Sequence, residues 1–547
     1  MSAFLEDLRH ASRTLAKSPG FTAAAAGTLA LGIGAAVAIF SLVEASLLRG
    51  LPYREPARLV HLWETESRGG RRELSYPDYL TLRDSARAFE SVAGYSGGSV
   101  TLSLPDHAER FRAARVTANF LPTLGVVPSS GRGFLPAEAD AGAARVVVLS
   151  HALWSRLFGA DVPLGSRTVV LEDVPHTVVG VLPKSFHFAP AEDADVWLPV
   201  RPTQPQKERG YWHWLRAIAR LAPGATLAGA SADADRVAAR IGAADPRFHP
   251  GVGFLVRPLT DEIVGSVRPV LLALSAAVVC VLLIVCANVA TLMLGRSARR
   301  RREIAIRIAL GATRARLARF LLTESLLLAA AGGAAGLVLA QWALQLIVAG
   351  IPADRRAAMP FLAGLSLGGP VLAFAAAVSL VTALACGMAP ALRAAGASPL
   401  EALKGGRSRF SRGPRRETAS WMVALEIALT LVLLTGAGLL ARSTARLLAK
   451  DTGYDRSGLL TATLWVPPSR LRDTSGLPAY ERSLLDDLAA LPGVQSAATV
   501  NKLPIGGGDT GTPLADGREL LPEANIRNVS AGYFATMRLP LEAGRFF

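Results

Sequence analysis

"RRRREIAIRIALGATRARLARFLLTESLLL", residues 299–328, runs from four consecutive arginines through an amphipathic pattern into a long apolar run. Such a stretch is a nucleic-acid-binding arm, a solvated charge run, or the part of a membrane machine that another protein pushes on. Composition separates these. The 547 residues carry a formal net charge of +16, yet 51% are hydrophobic and the mean hydropathy is +0.33. Soluble basic proteins do not combine these values. The arginines sit in short blocks beside long uncharged stretches, as charge is distributed in a membrane protein rather than in a groove-binding domain.

Working outward from residue 299, five stretches are long and apolar enough to cross about 30 Å of hydrocarbon, for which roughly 20 helical residues suffice. They lie near 22–48, 270–294, 321–349, 367–392 and 421–440. The first follows Arg9, Arg13 and Lys17 and could be mistaken for a signal peptide. Its apolar run is too long for one, so it is read as an uncleaved anchor behind an amphipathic helix over residues 1–20. Nine basic residues in the 295–319 loop and seven in 393–416, against only Arg355 and Arg356 in 350–368, predict a cytoplasmic N-terminus, loop and linker. Residues 49–268 and everything after 441 then lie outside. Cys280, Cys286 and Cys386 all fall in apolar runs and are read as small buried hydrophobes.

The 49–268 region reads as an α+β domain. "RVVVLS" (145–150), "RTVVLEDVPHTVVGVLP" (167–183, with "ED" as a turn), "DVWLPV" (195–200) and the alternating "LRAIARL" (215–221) predict strands, and "LAGASADADRVAARI" (227–241) predicts a helix. An internal repeat is also visible. "VTANFLPTLGVVPSSGRGF" (116–134) and "VSAGYFATMRLPLEAGRFF" (529–547) agree at Val116/Val529, Ala118/Ala531, Thr123/Thr536, Gly131/Gly544, Arg132/Arg545 and Phe134/Phe547, and Tyr53 corresponds to Tyr454. If 421–547 repeats the first span and domain, the expectation is a fragment of a protein of roughly 800 residues whose missing part holds three more spans.

In the opening stretch, Ile304 and Ile308 lie one turn apart while Arg300, Glu303 and Arg307 fall on another face. This predicts a short amphipathic helix that stops at Gly311, with Thr313 capping the helix that continues into the third span. By themselves the arginines need only fix topology and touch anionic lipid, at about 1 kcal/mol each. "REIAIRIALGATRARLARFLLTES" nevertheless resembles the loop between the second and third spans of MacB/FtsX-type ABC transporter permeases. The first 60 residues, "SYPDYLTLRD" (75–84), "CANVATLML" (286–294) and "GAGLLARS" (436–443) resemble the duplicated orphan branch of that family, of acidobacterial type. The resemblance implies two four-span units, each with a large extracytoplasmic domain inserted after its first span, in a bacterial inner membrane. It also implies a separate cytoplasmic ABC ATPase whose force reaches the outside domain. Glu303, Arg307, Gly311 and Arg314 are the ATPase-facing positions it implies. The truncated second half departs from the pattern.

The expected fold is an α-helical transmembrane bundle with a large inserted α+β extracytoplasmic domain, repeated, the second copy incomplete. Its expected segments are 1–20 (N-terminal helix), 21–48 (first span), 49–268 (MacB-like periplasmic core), 269–396 (FtsX-like permease), 397–420 (basic linker), 421–441 (fifth span) and 442–547 (start of a second outside domain). No lysine follows a glycine, so a Walker A loop is not expected and this chain is read as no enzyme. No metal site or cofactor is expected, and His151, His176 and His187 are read as surface or strand residues. Asn288 is expected to make an interhelical hydrogen bond, Glu324 and Glu426 to sit at the interface, and Gly332 and Gly336 to let spans approach closely. Expected partners are the ATPase and membrane lipids, not nucleic acid, with a periplasmic or outer-membrane partner left open. Two other functions stay in view: a sensor or scaffold with a passive outside domain, and a secondary transporter, for which paired midplane charges on broken helices are missing.

Overall fold

The computed structural model describes residues 2–48, 51–65, 70–140, 142–159, 162–191, 194–208, 213–244, 253–265, 267–299, 313–351, 367–395, 415–450, 453–455, 457–464, 476–504, 509–511, 514–515, 519–520 and 524–546. Two compact units are distinguished, one of residues 1–170 with 175–437 and one of 438–547 with the turn 171–174.

In the first unit the amphipathic helix α1 (Ser2–Ala16) leads into α2 (Pro19–Val43), whose Pro19 stands in the first turn, where its missing N–H costs nothing. A π-turn, Glu44–Leu48, closes this helix. The chain then forms β1 (Leu59–Thr65), β2 (Arg71–Arg72), β3 (Leu74–Ser75), α3 (Tyr76–Ser85), β4 (Phe89–Ser103), β5 (Ala108–Val116), α4 (Phe120–Leu124), β6 (Ser130–Gly131), β7 (Val146–Leu149), α5 (His151–Phe158), β8 (Thr168–Leu171), β9 (Val174–Val181), β10 (Val196–Pro199), β11 (His213–Leu221), α6 (Leu227–Ala244), β12 (Gly253–Pro258) and α7 (Leu259–Val264). Ser75 and Ser150 cap α3 and α5 by accepting from the amides of Asp78 and Leu153. The "ED" turn between β8 and β9 places Glu172 and Asp173 at φ 49° and 61°, the doubly left-handed backbone of a tight hairpin.

These strands form one mixed sheet in the order β12-β1-β11-β4-β5-β10-β7-β9-β6, with β2, β3 and β8 on its flanks. Pairing is parallel at β5/β10 and β7/β9 and otherwise antiparallel where registers are defined. One face carries Val60, Leu62, Leu215, Ala217 and Ala219 against Tyr79 and Leu82 of α3 and Ala234, Val237 and Ile241 of α6. The other carries Leu59, Ala93, Tyr95 and Ile218 against α4 and an aromatic cluster. Within it the rings of Tyr95 and Phe120 each stand edge-on to Phe188 at 5.1 Å. "LRAIARL" therefore does not alternate between core and solvent, because both faces of β11 are covered.

The chain leaves the sheet through α7 into α8 (Arg268–Arg299), α9 (Arg314–Gly350) and α10 (Gly369–Ala395). Five helices are long and apolar enough to span a membrane: Pro19–Ser46, Arg268–Arg296, Ala318–Gly350, Gly369–Met388 and Trp421–Leu448. The first four pack around Leu29, Ile33, Val37, Val285, Val289, Met293, Leu328 and Ala375. The fifth lies within α11 (Arg415–Leu448), which crosses the boundary between the two units.

In the second unit the described residues include α12 (Leu477–Ala489), two short two-stranded ladders within 509–526, and α13 (Tyr533–Thr536). Over residues 530–539 four of its backbone hydrogen bonds match four of 117–126. The amides of Phe120, Thr123, Gly125 and Val126 donate to the carbonyls of Thr117, Asn119, Pro122 and Leu121. Those of Tyr533, Thr536, Arg538 and Leu539 donate to Ser530, Gly532, Ala535 and Phe534. Tyr95 pairs with Val116 as Val500 pairs with Val529, and Gly131 and Gly544 share a positive φ, 75° and 88°.

Candidate coupling path between the membrane helices and the inserted domain

The inserted sheet hangs from the bundle by two connections, after α2 and before α8. A buried arginine and a half-buried one hold the first. Arg220 is 3% exposed; its Nε donates to Thr123 O at 3.0 Å and its Nη2 to Arg54 O at 2.7 Å. Arg58 donates through Nε to Leu221 O at 3.0 Å and pairs with Glu55 and Glu90. The Arg54 amide donates to Leu124 O, and Tyr53 Oη donates to His187 O at 2.5 Å. Residues 53–58 are thus tied to β11, to α4 and to the loop before Phe188. At the second connection Leu259 is fully buried in the aromatic core, and Glu262 accepts from Trp63 Nε1 of β1 at 3.2 Å with Arg71 3.4 Å away. The Val267 amide donates to Val264 O and the Leu271 amide to Val267 O, so α7 runs almost directly into α8.

Between the connections, α2 and α9 approach so closely that only glycine fits. A Cβ on Gly332 would lie 2.6 Å from Leu29 Cβ, and one on Gly336 3.0 Å from Ala30 O and Gly34 N. At the end of the bundle away from the sheet, Arg296 of α8 meets Glu324 of α9 at 3.0 Å. Glu324, near the end of the bundle, is buried among the helices, where the bound guanidinium lets the carboxylate leave water. Glu426 is half-buried. Asn288 is half-buried on α8 and makes no side-chain hydrogen bond among the described residues, so the expected interhelical bond is absent there. Thr313 does cap α9, accepting from the Arg316 amide. Glu303, Arg307 and Gly311 lie outside the described residues, and of Arg314 only the backbone, as the first residue of α9, is described. His176 is buried in β9, and His151 Nδ1 lies 3.4 Å from Ser155 Oγ in its own helix. Among the described residues no group of three His, Cys, Asp or Glu side chains could hold a metal.

Sequence reasoning missed Arg58, Arg220 and Arg296. For Arg220 the available signal was a charge between Ala219 and Leu221 in a strand, a signal that half-buried Arg216 of the same strand shares.

Residues 22–237 match the MacB-like periplasmic core domain and residues 275–399 the FtsX-like permease C-terminal domain. The first match runs from α2 through the inserted sheet into α6, leaving out β12, and the second falls on α8 to α10. This chain belongs to the MacB/FtsX-type permeases. This permease is 29% identical over 264 residues to "Macrolide export ATP-binding/permease protein MacB" of Chromobacterium violaceum, covering 47% of the chain and 38% of that relative. It is 30% identical over 282 residues to "Pyoverdine export ATP-binding/permease protein PvdT" of Pseudomonas aeruginosa, covering 50% and 39%. The chain thus spans well under half the length of these relatives. The solved periplasmic region of MacB from Actinobacillus actinomycetemcomitans aligns with 39% of the permease and 94% of that chain, at 14% identity and a TM-score of 0.30. The permease is a multi-pass inner-membrane protein.

Proposed function

We propose that this chain is the permease part of an ABC-type export system that converts ATP hydrolysis by a separate cytoplasmic ATPase into motion of its extracytoplasmic domain. The observation that carries this is the anchoring of the sheet beside both connections: residues 53–58 are tied to β11 and α4, and Leu259 and Glu262 of α7 to the core and to β1. With Arg58 and Arg220 tying residues 53–58 to the sheet and α7 packed on it just before α8, a shift of α2 against α8 is passed to the sheet. In this reading the N-terminus and the 295–319 segment face the cytoplasm, on the distribution of arginine, and Glu303, Arg307, Gly311 and Arg314 meet the ATPase. The chain itself hydrolyses no ATP. The matched hydrogen bonds of 117–126 and 530–539 support reading the second unit as a copy of the first. The cargo stays open.

The test is a pull-down of the full chain from its native membrane in detergent, with mass spectrometry and ATP hydrolysis, beside a Glu303→Ala/Arg307→Ala variant. A stoichiometric P-loop ATPase that is lost from the variant is the expected result. A wild-type complex without any ATPase would overturn the reading in favour of a passive sensor or scaffold.

A further inference from the structure

One guanidinium gathers four helices at the end of the bundle away from the sheet. Arg296 is the last residue of the span in α8. Its Nη2 donates to Thr14 O of α1 at 2.9 Å and to Ser18 Oγ, the residue before α2, at 2.7 Å. Its Nη1 lies 3.0 Å from Glu324 Oε1 of α9, and its Cζ stands 4.3 Å over the ring of Phe21 of α2. The two charged side chains are only 11% and 3% exposed. Around them α9 is closed in: Thr323 and Ser325 are buried, and a Cβ on Gly387 of α10 would lie 2.4 Å from Ser325 Oγ. The α1–α2 corner is separately drawn tight by Thr22 Oγ1, which donates to Leu15 O at 2.8 Å.

We propose that Arg296 is a positioning residue that makes the end of α8 away from the sheet move as one body with α1 and the start of α2. This rests on the coupling role proposed above and supplies one step of it, from the end of α8 to the first span. The physical reason is twofold. A buried ion pair is costly to separate once out of water, so α8 and α9 stay joined under load. The planar fork of arginine, with five donors, can hold a carboxylate on one side and α1 with Ser18 on the other; a lysine ammonium can keep the charge pair but not both directions.

The experiment uses the full chain in its native membrane, with Cys280, Cys286 and Cys386 replaced by alanine and cysteines placed at His10 and Phe320. The rings of those two residues stand 5.6 Å apart between α1 and α9. Cross-linking with a short bis-maleimide is expected to fall several-fold in Arg296→Gln. Because that change takes a cationic partner from buried Glu324 and could hinder folding, Arg296→Gln/Glu324→Gln is measured beside it; neutralising both partners removes that buried charge. The double variant is expected at wild-type abundance, with the same several-fold loss of cross-link. Wild-type cross-linking in a normally inserted double variant overturns the proposal. A second arm uses Arg296→Lys with the co-purified ATPase: retained ATP hydrolysis with loss of the ATP-dependent change in protease sensitivity of the inserted domain is expected, and an unchanged domain response overturns it. If even the wild type retains no ATPase, the coupling reading fails by itself and the cross-link still decides whether Arg296 ties α1 down.

Discussion

His61 shows how much a single side chain in this sheet depends on its surroundings. It lies in β1 with Nε2 2.9 Å from Tyr95 Oη, and its buried Nδ1 has no hydrogen-bond partner among the described residues. Burial, with Arg216 and Arg71 nearby, lowers its pKa from 6.5 to about 3. The folded state therefore keeps His61 neutral while the unfolded chain takes up a proton below about pH 6.5. Above that value the group contributes nothing to the pH dependence. Between about 6.5 and 3, stability falls with falling pH by roughly 1.4 kcal/mol per unit. His61→Gln is expected to flatten that slope between pH 6 and 4, read as Tm of the purified chain in detergent; an unchanged slope would show that other groups set it. Arg538 offers a second case at this scale. It occupies the left-handed position that Gly125 holds in the first unit, φ 50° against 74°, and is held there by Asp455. Hydrogen bonds from Ser457, then from Arg538, lower the Asp455 carboxyl to a pKa of about 2.

Among the elements, the contact of α2 with α9 carries the sharpest steric demand. Gly34 and Gly336 face each other, so a Cβ on either meets backbone atoms of the other helix at 3.0 Å, and backbone, unlike a flexible side chain, cannot step aside. Gly336→Val is expected to cost about 1–3 kcal/mol through overpacking, read as a lower Tm and faster proteolysis in detergent. Gly350→Ala, where nothing lies within 4 Å, serves as the control. If Gly336→Val melted like that control, the helices would not be held by close approach. The sequence showed the small residues at the spacing for such packing. It could not show that Leu29 and Ala30 are what they meet, since that depends on how α2 is rotated about its own axis.

For the molecule as a whole, the connection after α2 decides whether bundle and sheet move together. Arg220→Met keeps most of the side-chain volume but leaves Thr123 O and Arg54 O without their donor. The expected cost is about 1–3 kcal/mol, chiefly from the buried Thr123 O, since Arg54 O is only part-buried. Amide hydrogen exchange should then quicken at Arg54, whose N–H donates to Leu124 O, while the β4/β5 ladder stays protected. Unchanged exchange at Arg54 would mean that the connection is stiff without Arg220.

Much of this architecture was readable from one chain. Apolar length located the spans, and turn chemistry and β-branched runs located β7 to β11 and the hairpin at Glu172–Asp173, because these depend on neighbours in sequence. The positions matched between 116–134 and 529–547 likewise carried the register in which the backbone bonds agree. Only the tertiary structure decided which charged residues are buried. Arg220 looks like a solvent-facing strand residue until the carbonyls of Arg54 and Thr123 meet it, and Glu324 like a solvated carboxylate until Arg296 of another helix lies 3.0 Å away. A charge leaves water only when its partners are in place, and those partners are 97 and 166 residues distant for Arg220 and on a different span for Glu324, where no local pattern in the sequence can point to them.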